Sequence, residues 1–543
     1  MFWKQFFFNH RFKSYFIQMF FFYSTIYIWS SIGDVLFFNT FFNYSLYCFI
    51  SIFLSFFIEV SLFIYIIFYI LCFKNNNKNS KTIFYLFIIF LILIILFNSV
   101  LIFLNKHVFL INLSLQNNFY TLNSKIMSLF LFINIIYILK NKILYNIYNI
   151  FLKDILCILC FLLFFICILY SSIDFFIIFI SLEGISFVLY TLGSILSKSF
   201  INMEAILKYF LINNIASSLL LWTISYIYIC IASTDCFEFQ YYLIYSFEVL
   251  NMWQIYAICI LLLLSLFFKL AIFPFHWWIA DIYEGFWTPL TVIYAIFIKF
   301  SLFLFFFHFI LNILSSCFFL QSILLIGSVG SIIYGSLGAI VQVKLKRFLA
   351  YTSISQSGYI LLGLTTNIFN GILSSFIYLC FYTLTSFCFF LIILNLEHIS
   401  HRNNIIYINQ LYSILFYNKE ISFHLISIIF IMAAIPPFNS FFIKFFMFLL
   451  LIEIKLEIIL GGVLILSLLG SYYYLNLIQQ LIFFKLNKTK IYIFNINNIY
   501  LIILRIHTLL FILPFFFFSK IYYLSFIFIN NLLWPLSYFI FLL

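Results

Sequence analysis

The chain has 543 residues, 66% of them hydrophobic and only 8% charged, with a mean hydropathy of +1.20. A soluble chain is closer to half apolar and a quarter charged, so lipid must be the solvent for most of this one. The net charge of +12 is scattered through short loops with no basic face of interleaved aromatics, which excludes a nucleic-acid partner and leaves the cations as topology signals.

Phe (84) and Tyr (39) are far above ordinary usage, and Ile and Asn are abundant. All four have codons rich in A and T, so an AT-rich, organelle-like genome explains the aromatic load better than a cofactor box does. The 11 cysteines fall mostly within apolar runs. Cys157 and Cys160 share a helix face but have no His or Cys cluster beside them, and read as small apolar residues. The N-terminus is basic without a small-residue cleavage site, which argues against a removed signal peptide.

In chain order, apolar runs predict spans near 15–33, 45–73, 82–104, 124–139, 155–170, 173–196 and 203–231. They continue near 253–279, 289–311, 320–341, 347–364, 370–396, 421–452, 458–480, 498–518 and 521–543. Lys and Arg gather at the N-terminus, at 74–81, at 140–153, at Lys198, at 344–347, at Arg402 and Lys419, and at 485–490. These spans put all of them on one side, the cytoplasm or matrix, with both termini inside. The loop at 235–248 on the other side carries Asp235, Glu238 and Glu248.

Two spans echo each other. Ala271-Ile272-Phe273-Pro274-Phe275 recurs as Ala434-Ile435-Pro436-Pro437-Phe438. A proline inside a span frees backbone groups, tolerated only where protein or water satisfies them. Broken helices at Pro274 and at Pro436 and Pro437, in two halves of a chain, point to a transporter's site. The glycine-rich stretch 327–339 lies within a span and reads as a close helix contact, not a phosphate loop.

Ionisable residues well inside spans are Glu59, Glu183, Lys208, Lys269, Lys299 and Lys444, with His308 and His424 as relay candidates. Intramembrane charges are costly and default to function. A lysine whose carboxylate partner comes and goes alternates between holding and releasing a proton, chemistry that needs no metal or prosthetic group. Lys269 precedes Pro274, Lys444 follows Pro437, and Lys299 lies near mid-depth of its span. Lys208 follows Glu204 at helical i,i+4 spacing, and from the residues alone either snorkelling or function fits it. Glu59 stays unassigned, and His276 beside two tryptophans suits an interface. The sequence contains no nucleotide fingerprint, zinc spacing, haem attachment motif or hydrolase elbow.

The segments FKLAIFPFHWWIADIYEGFWTPLTVIYAIFIK, NMEAILKYFLINNIASSLLL, LKRFLAYTSISQSGYILLGL and MAAIPPFNSFFIKFFMF resemble the antiporter-like membrane chains of respiratory NADH:ubiquinone oxidoreductase (complex I), above all the chain 2 family. The resemblance covers roughly 155–480. It implies an all-α polytopic membrane protein with a bundle of about fourteen transmembrane helices, against about sixteen by the apolar runs, with two inverted five-helix repeats, each holding a broken helix. The implied domains are divergent additional helices at 1–150, an antiporter-like core at 151–480 and C-terminal helices at 481–543. Repeat one lies near 155–311 and repeat two near 320–480.

By the same resemblance, Glu183 modulates Lys208, which passes its electrostatic state to Lys269, Lys299 and Lys444, and these five residues carry proton translocation. NADH, FMN, iron–sulfur clusters and ubiquinone are expected in partner subunits, with no cofactor in this chain. Implied partners are other membrane-arm subunits, including chain 4-like and small membrane chains, accessory subunits at the divergent ends, and lipids including cardiolipin. The implied location is the mitochondrial inner membrane. A cation/proton antiporter subunit and a structural membrane-arm subunit without pumping are the alternatives.

Overall fold

The computed structural model describes residues 108–110, 115–145, 152–196, 199–246, 252–310, 318–399, 406–413, 419–436 and 438–483, with isolated positions between 88 and 99 and between 504 and 526. The expected spans at 15–33 and 45–73, Glu59, Pro437 and the basic segment at 485–490 lie outside the described residues.

In lipid every backbone N–H and C=O must be satisfied internally, and a helix does this within one segment. The apolar runs accordingly fold as α1 (Phe119–Tyr145), α2 (Leu152–Ser171), α3 (Phe175–Leu196) and α4 (Phe200–Ile231). A short α5 (Cys236–Ser246) occupies the stretch read as a loop. Next come α6 (Met252–Leu270), α7 (Trp278–Gly285) and α8 (Thr288–Phe309), in which Ile293–Ile298 is π-helical. The second half contains α9 (Phe318–Val341), α10 (Leu345–Thr365), α11 (Phe369–Ile399), α12 (Lys419–Ala433), α13 (Asn439–Glu453) and α14 (Glu457–Phe483). Among the described residues nine helices are long and apolar enough to cross a membrane. The exception to the all-helical expectation is an antiparallel hairpin, β1 (Val108–Leu110) with β2 (Leu115–Asn117). Strands of three residues are too short for alternation to show in a sequence.

Helix α10 has the length of a span but not the hydropathy, because Thr352, Ser353, Ser355, Gln356 and Ser357 are buried along it. Its hydroxyls donate to their own helix: Ser353 to Ala350 O at 2.7 Å and Ser355 to Thr352 O at 2.8 Å. The polar load is thus satisfied and faces protein rather than lipid.

The two breaks fold alike. At the first, Ala271 N donates to Phe268 O, Ile272 N to Phe267 O and Phe275 N to Ile272 O. At the second, Ala434 N donates to Ile431 O, Ile435 N to Phe430 O and Phe438 N to Ile435 O. Each is a Schellman ending, with alanine in the left-handed region at φ 54° and 55°. The proline then keeps the helix from resuming at once. Ser440 Oγ donates across the second break to Ile431 O.

The glycine stretch behaves as expected. A Cβ on Gly335 of α9 would lie 2.4 Å from Ser355 N of α10, and one on Gly330 would lie 2.3 Å from the Phe273 ring beside the first break. Gly335→Ala is therefore expected to force α9 from α10 and cost about 1–3 kcal/mol, an overpacking penalty. Gly461→Ala, with nothing within 4 Å, should leave stability unchanged or slightly raised. Thermal unfolding midpoints in detergent of the two variants separate these outcomes.

Candidate functional site

The first break positions Lys269. It is the residue one before the helix end of α6, where the carbonyl-rich terminus favours a cation. Its Nζ lies 3.1 Å from Glu183 Oε1 of α3, with side-chain exposures of 6% and 28%, so the lysine is the enclosed partner. Ser186 Oγ donates to the Glu183 backbone carbonyl at 2.7 Å and holds that turn. A cavity beside the pair is lined by Ser186, Tyr209, Asn213, Lys269, Trp278 and Tyr294.

Lys299 comes directly after the π-helical turn of α8. A π turn widens the helix and rotates the residues beyond it about the axis. Lys299 is 4% exposed, its Nζ donates to Ser353 O of α10 at 2.7 Å, and it stands 6.0 Å from the Tyr382 ring centroid. Ser353 and Tyr382 line a second cavity with Tyr283, Gln356, Tyr378 and Ser386. The two cavities adjoin through Tyr283 and Tyr294, whose rings meet edge-on at 6.0 Å.

Lys444 sits on α13 beyond the second break and is 8% exposed. Its Nζ lies 4.2 Å above the Tyr359 ring, a cation–π contact of about 2 kcal/mol when desolvated. Tyr359 packs on Tyr378 at 6.0 Å between centroids, and the Tyr378 hydroxyl donates to Gln356 Oε1. From Lys269 to Lys444 the interior thus holds three ammonium groups separated by hydroxyls, one amide and aromatic faces.

Lys208 is placed elsewhere. It pairs with Glu204 at 2.9 Å, in line with its i,i+4 spacing, and with Asp281 of α7 at 3.0 Å, at 42% exposure. Glu183 is not its partner; the structure brings Glu183 to Lys269 instead. Asp281 also meets Arg347, and Glu284 meets Lys344 and Arg347, so α4, α7 and the start of α10 are joined by charges at the basic-loop end. At the opposite end Thr234 Oγ1 donates to Asp174, and the carboxyl of Asp235 is raised above its usual range by burial.

Neither histidine lines these cavities. His308 stacks on Tyr120 at 5.5 Å near the end of α8, and His424 is buried near the start of α12, beside Phe423. His276 lies against Phe273 and Tyr334 at the first break. Pro274 and Pro436 stand in the two breaks. Among the described residues no group of three or more His, Cys, Asp or Glu is placed to hold a metal ion.

Two buried charges give no clear signal in the sequence. Lys125 is 2% exposed and donates to Asn117 Oδ1 at 2.9 Å. Glu397 is 6% exposed and accepts from Thr288 Oγ1 at 2.7 Å. Both fall at the edges of apolar runs, where window length treats a charge as a boundary. The tyrosines and Gln356 are hidden by the aromatic composition.

The transmembrane family described as NADH:quinone oxidoreductase/Mrp antiporter matches residues 172–470. The chain is 32% identical over 324 residues to NADH-quinone oxidoreductase subunit N of Pelagibacter ubique, a match covering 59% of this chain and 66% of that protein. It is 30% identical over 321 residues to NADH-ubiquinone oxidoreductase chain 2 of Oenothera berteroana, covering 58% and 63%. It thus spans just under two thirds of the length of these relatives. In fold it is similar to a chain of the Mrp complex from Dietzia sp. DQ12-45-1b, with a TM-score of 0.76 at 15% identity over 90% of this chain and 98% of that one. A chain of respiratory complex I from Thermus thermophilus gives 0.69 at 19% identity over 87% and 98%.

Two double-mutant cycles distinguish the ion pairs. Glu183→Gln with Lys269→Met should show a coupling of about 0.5–3 kcal/mol, as for contacting residues in one network. Lys208→Ala with Asp281→Ala, both partners about 40% exposed, should show less than about 1 kcal/mol. Unfolding midpoints of each set of four proteins measure both.

Proposed function

Because the chain belongs to the NADH:quinone oxidoreductase/Mrp antiporter transmembrane family, we propose that it is a proton-translocating membrane-arm subunit of an NADH:quinone oxidoreductase. The observation that carries this reading is the pairing of buried Lys269 with partly exposed Glu183, at the head of a series of enclosed lysines. Glu183 sets the charge of Lys269; Lys269 acts on Lys299 across the Tyr283–Tyr294 contact; Lys299 acts on Lys444 along Ser353, Gln356 and the tyrosines. Lys208 takes no station in this relay and instead helps hold α7, while His308 and His424 are left outside it.

The magnitudes are adequate. Making or breaking an ion pair at 4 Å and an effective dielectric near 20 is worth about 4 kcal/mol. Moving one charge across 100 mV costs about 2.3 kcal/mol. We assign NADH, flavin, iron–sulfur and quinone chemistry to partner chains, whose quinone reduction drives the relay. Neighbouring membrane-arm chains and lipids are the expected contacts, in an energy-transducing membrane that the AT-rich composition suggests is mitochondrial.

The likeness in fold to an Mrp chain supports a second reading, cation/proton exchange without quinone. Lys269→Met is expected to abolish the protons this chain contributes per NADH oxidised, in proteoliposomes of the assembled complex, with assembly intact. Fully coupled turnover at full rate in that variant refutes the relay. Sodium- or potassium-driven proton exchange without NADH or quinone supports the second reading.

A further inference from the structure

Ser186 stands on α3 one turn beyond Glu183 and is 2% exposed. Its Oγ lies 2.7 Å from the Glu183 backbone carbonyl and 3.5 Å from the carboxylate oxygen Oε2. A hydroxyl has one proton to give, and the shorter contact takes it. Ser181, earlier on the same helix, makes the backbone bond too, to Ile178 O at 2.8 Å. What sets Ser186 apart is the carboxylate beside it. Lys269 engages the other carboxylate oxygen, Oε1, at 3.1 Å. One Glu183 oxygen is thus held by the ammonium, and the other lies just beyond a donor that is turned elsewhere.

Two neighbours fix the Ser186 oxygen and the backbone under it. The Tyr190 hydroxyl accepts from Asn213 Nδ2 of α4 at 2.9 Å, which leaves its own proton for the Ser186 oxygen, with which it interacts. Tyr190 is itself set by rings, edge-on to Tyr209 at 5.2 Å and to Phe210 at 5.3 Å. Between Glu183 and Ser186, a Cβ on Gly184 would lie 2.3 Å from the Phe165 ring of α2. That turn of α3 therefore packs backbone against ring, and side-chain rotation is the freedom left to it.

When Lys269 gives up its proton the ion pair goes, and Glu183 is a carboxylate in need of a donor. A hydrogen bond to a charged acceptor is shorter and stronger than one to a carbonyl. Resting on the relay reading above, we propose that Ser186 is a two-position donor that positions Glu183. Its O–H serves the backbone carbonyl while Lys269 is protonated and turns to Oε2 when Lys269 is neutral. The turn is a rotation of the O–H with a closing of the 3.5 Å gap, so no bond to hydrogen breaks and Ser186 carries no proton of the relay. Its effect is to hold the carboxylate in place through the half-cycle in which the ammonium is missing.

A serine that only bonds its own helix adds little stability, and alanine is the better helix former. Ser186→Ala in the full chain should therefore leave the unfolding midpoint in detergent unchanged or slightly raised. In a Lys269→Met chain at about pH 8, well above the ordinary carboxylate range, the same substitution should lower the midpoint by about 1–3 °C, because Ser186 is then the donor to Glu183. An equal effect of Ser186→Ala in both backgrounds overturns the proposal. In proteoliposomes of the assembled complex, Ser186→Ala should lose the protons per NADH oxidised that Lys269→Met loses, with NADH oxidation retained. Ser186→Thr, which keeps the hydroxyl, should restore them. Wild-type stoichiometry in Ser186→Ala while Lys269→Met is deficient overturns the positioning role and leaves the relay standing, as does an equal loss in the alanine and threonine variants. Wild-type stoichiometry in Lys269→Met overturns the relay, and the midpoint comparison then decides the donor turn by itself. Where S186A does not assemble, that same comparison on the full chain decides.

Discussion

An ammonium enclosed by an apolar bundle must be compensated, and the rest of this structure depends on how three of them are. Lys269 has a full opposite charge at 3.1 Å, Lys299 a backbone carbonyl at 2.7 Å, and Lys444 the face of a tyrosine at 4.2 Å. The three solutions descend in electrostatic strength, from ion to dipole to quadrupole. A bundle that gave each lysine its own carboxylate would hold every proton tightly. Here only the first has a carboxylate partner; Lys299 has a backbone carbonyl and Lys444 an aromatic face.

The helix irregularities serve that arrangement. The Schellman ending stops α6 one residue beyond Lys269 and leaves that side chain at the carbonyl-rich end of the helix, beside Glu183. The second break puts Lys444 on the far half-helix instead, so the two breaks share a backbone and differ in which side bears the charge. In α8 the π-helical turn ends where Lys299 begins, and Ser353 on the polar face of α10 receives it. The glycines of α9 bring α10 close enough for that face to line the interior.

Much of this is legible in the sequence because it is local. Proline in an apolar run, the five-residue echo and the i,i+4 pair of Glu204 and Lys208 can all be read along the chain. Pairing at long range cannot: the resemblance matches Glu183 with Lys208, yet the ion-pair neighbour of Glu183 is Lys269, 86 residues away on another helix. Glu397 and Lys125 are hidden for a different reason, since a charge at the edge of an apolar run also marks where a span ends. Tyr283, Tyr294, Tyr359 and Tyr378 give no signal in a chain that has tyrosine nearly everywhere.

The alanines at the breaks carry a further consequence, at the level of coding. Eleven alanines stand in the chain, all between positions 205 and 434. Alanine codons begin with G and C, so mutational drift toward A and T removes this residue wherever another will serve. Asparagine is written almost wholly in A and T and tolerates the left-handed region better, as Asn367 does after α10. Yet Ala271 and Ala434 both hold left-handed positions, and Ala271 is fully buried, where an amide would go unpaired. At Ala271, then, burial leaves no room for the amide that the left-handed backbone would otherwise favour.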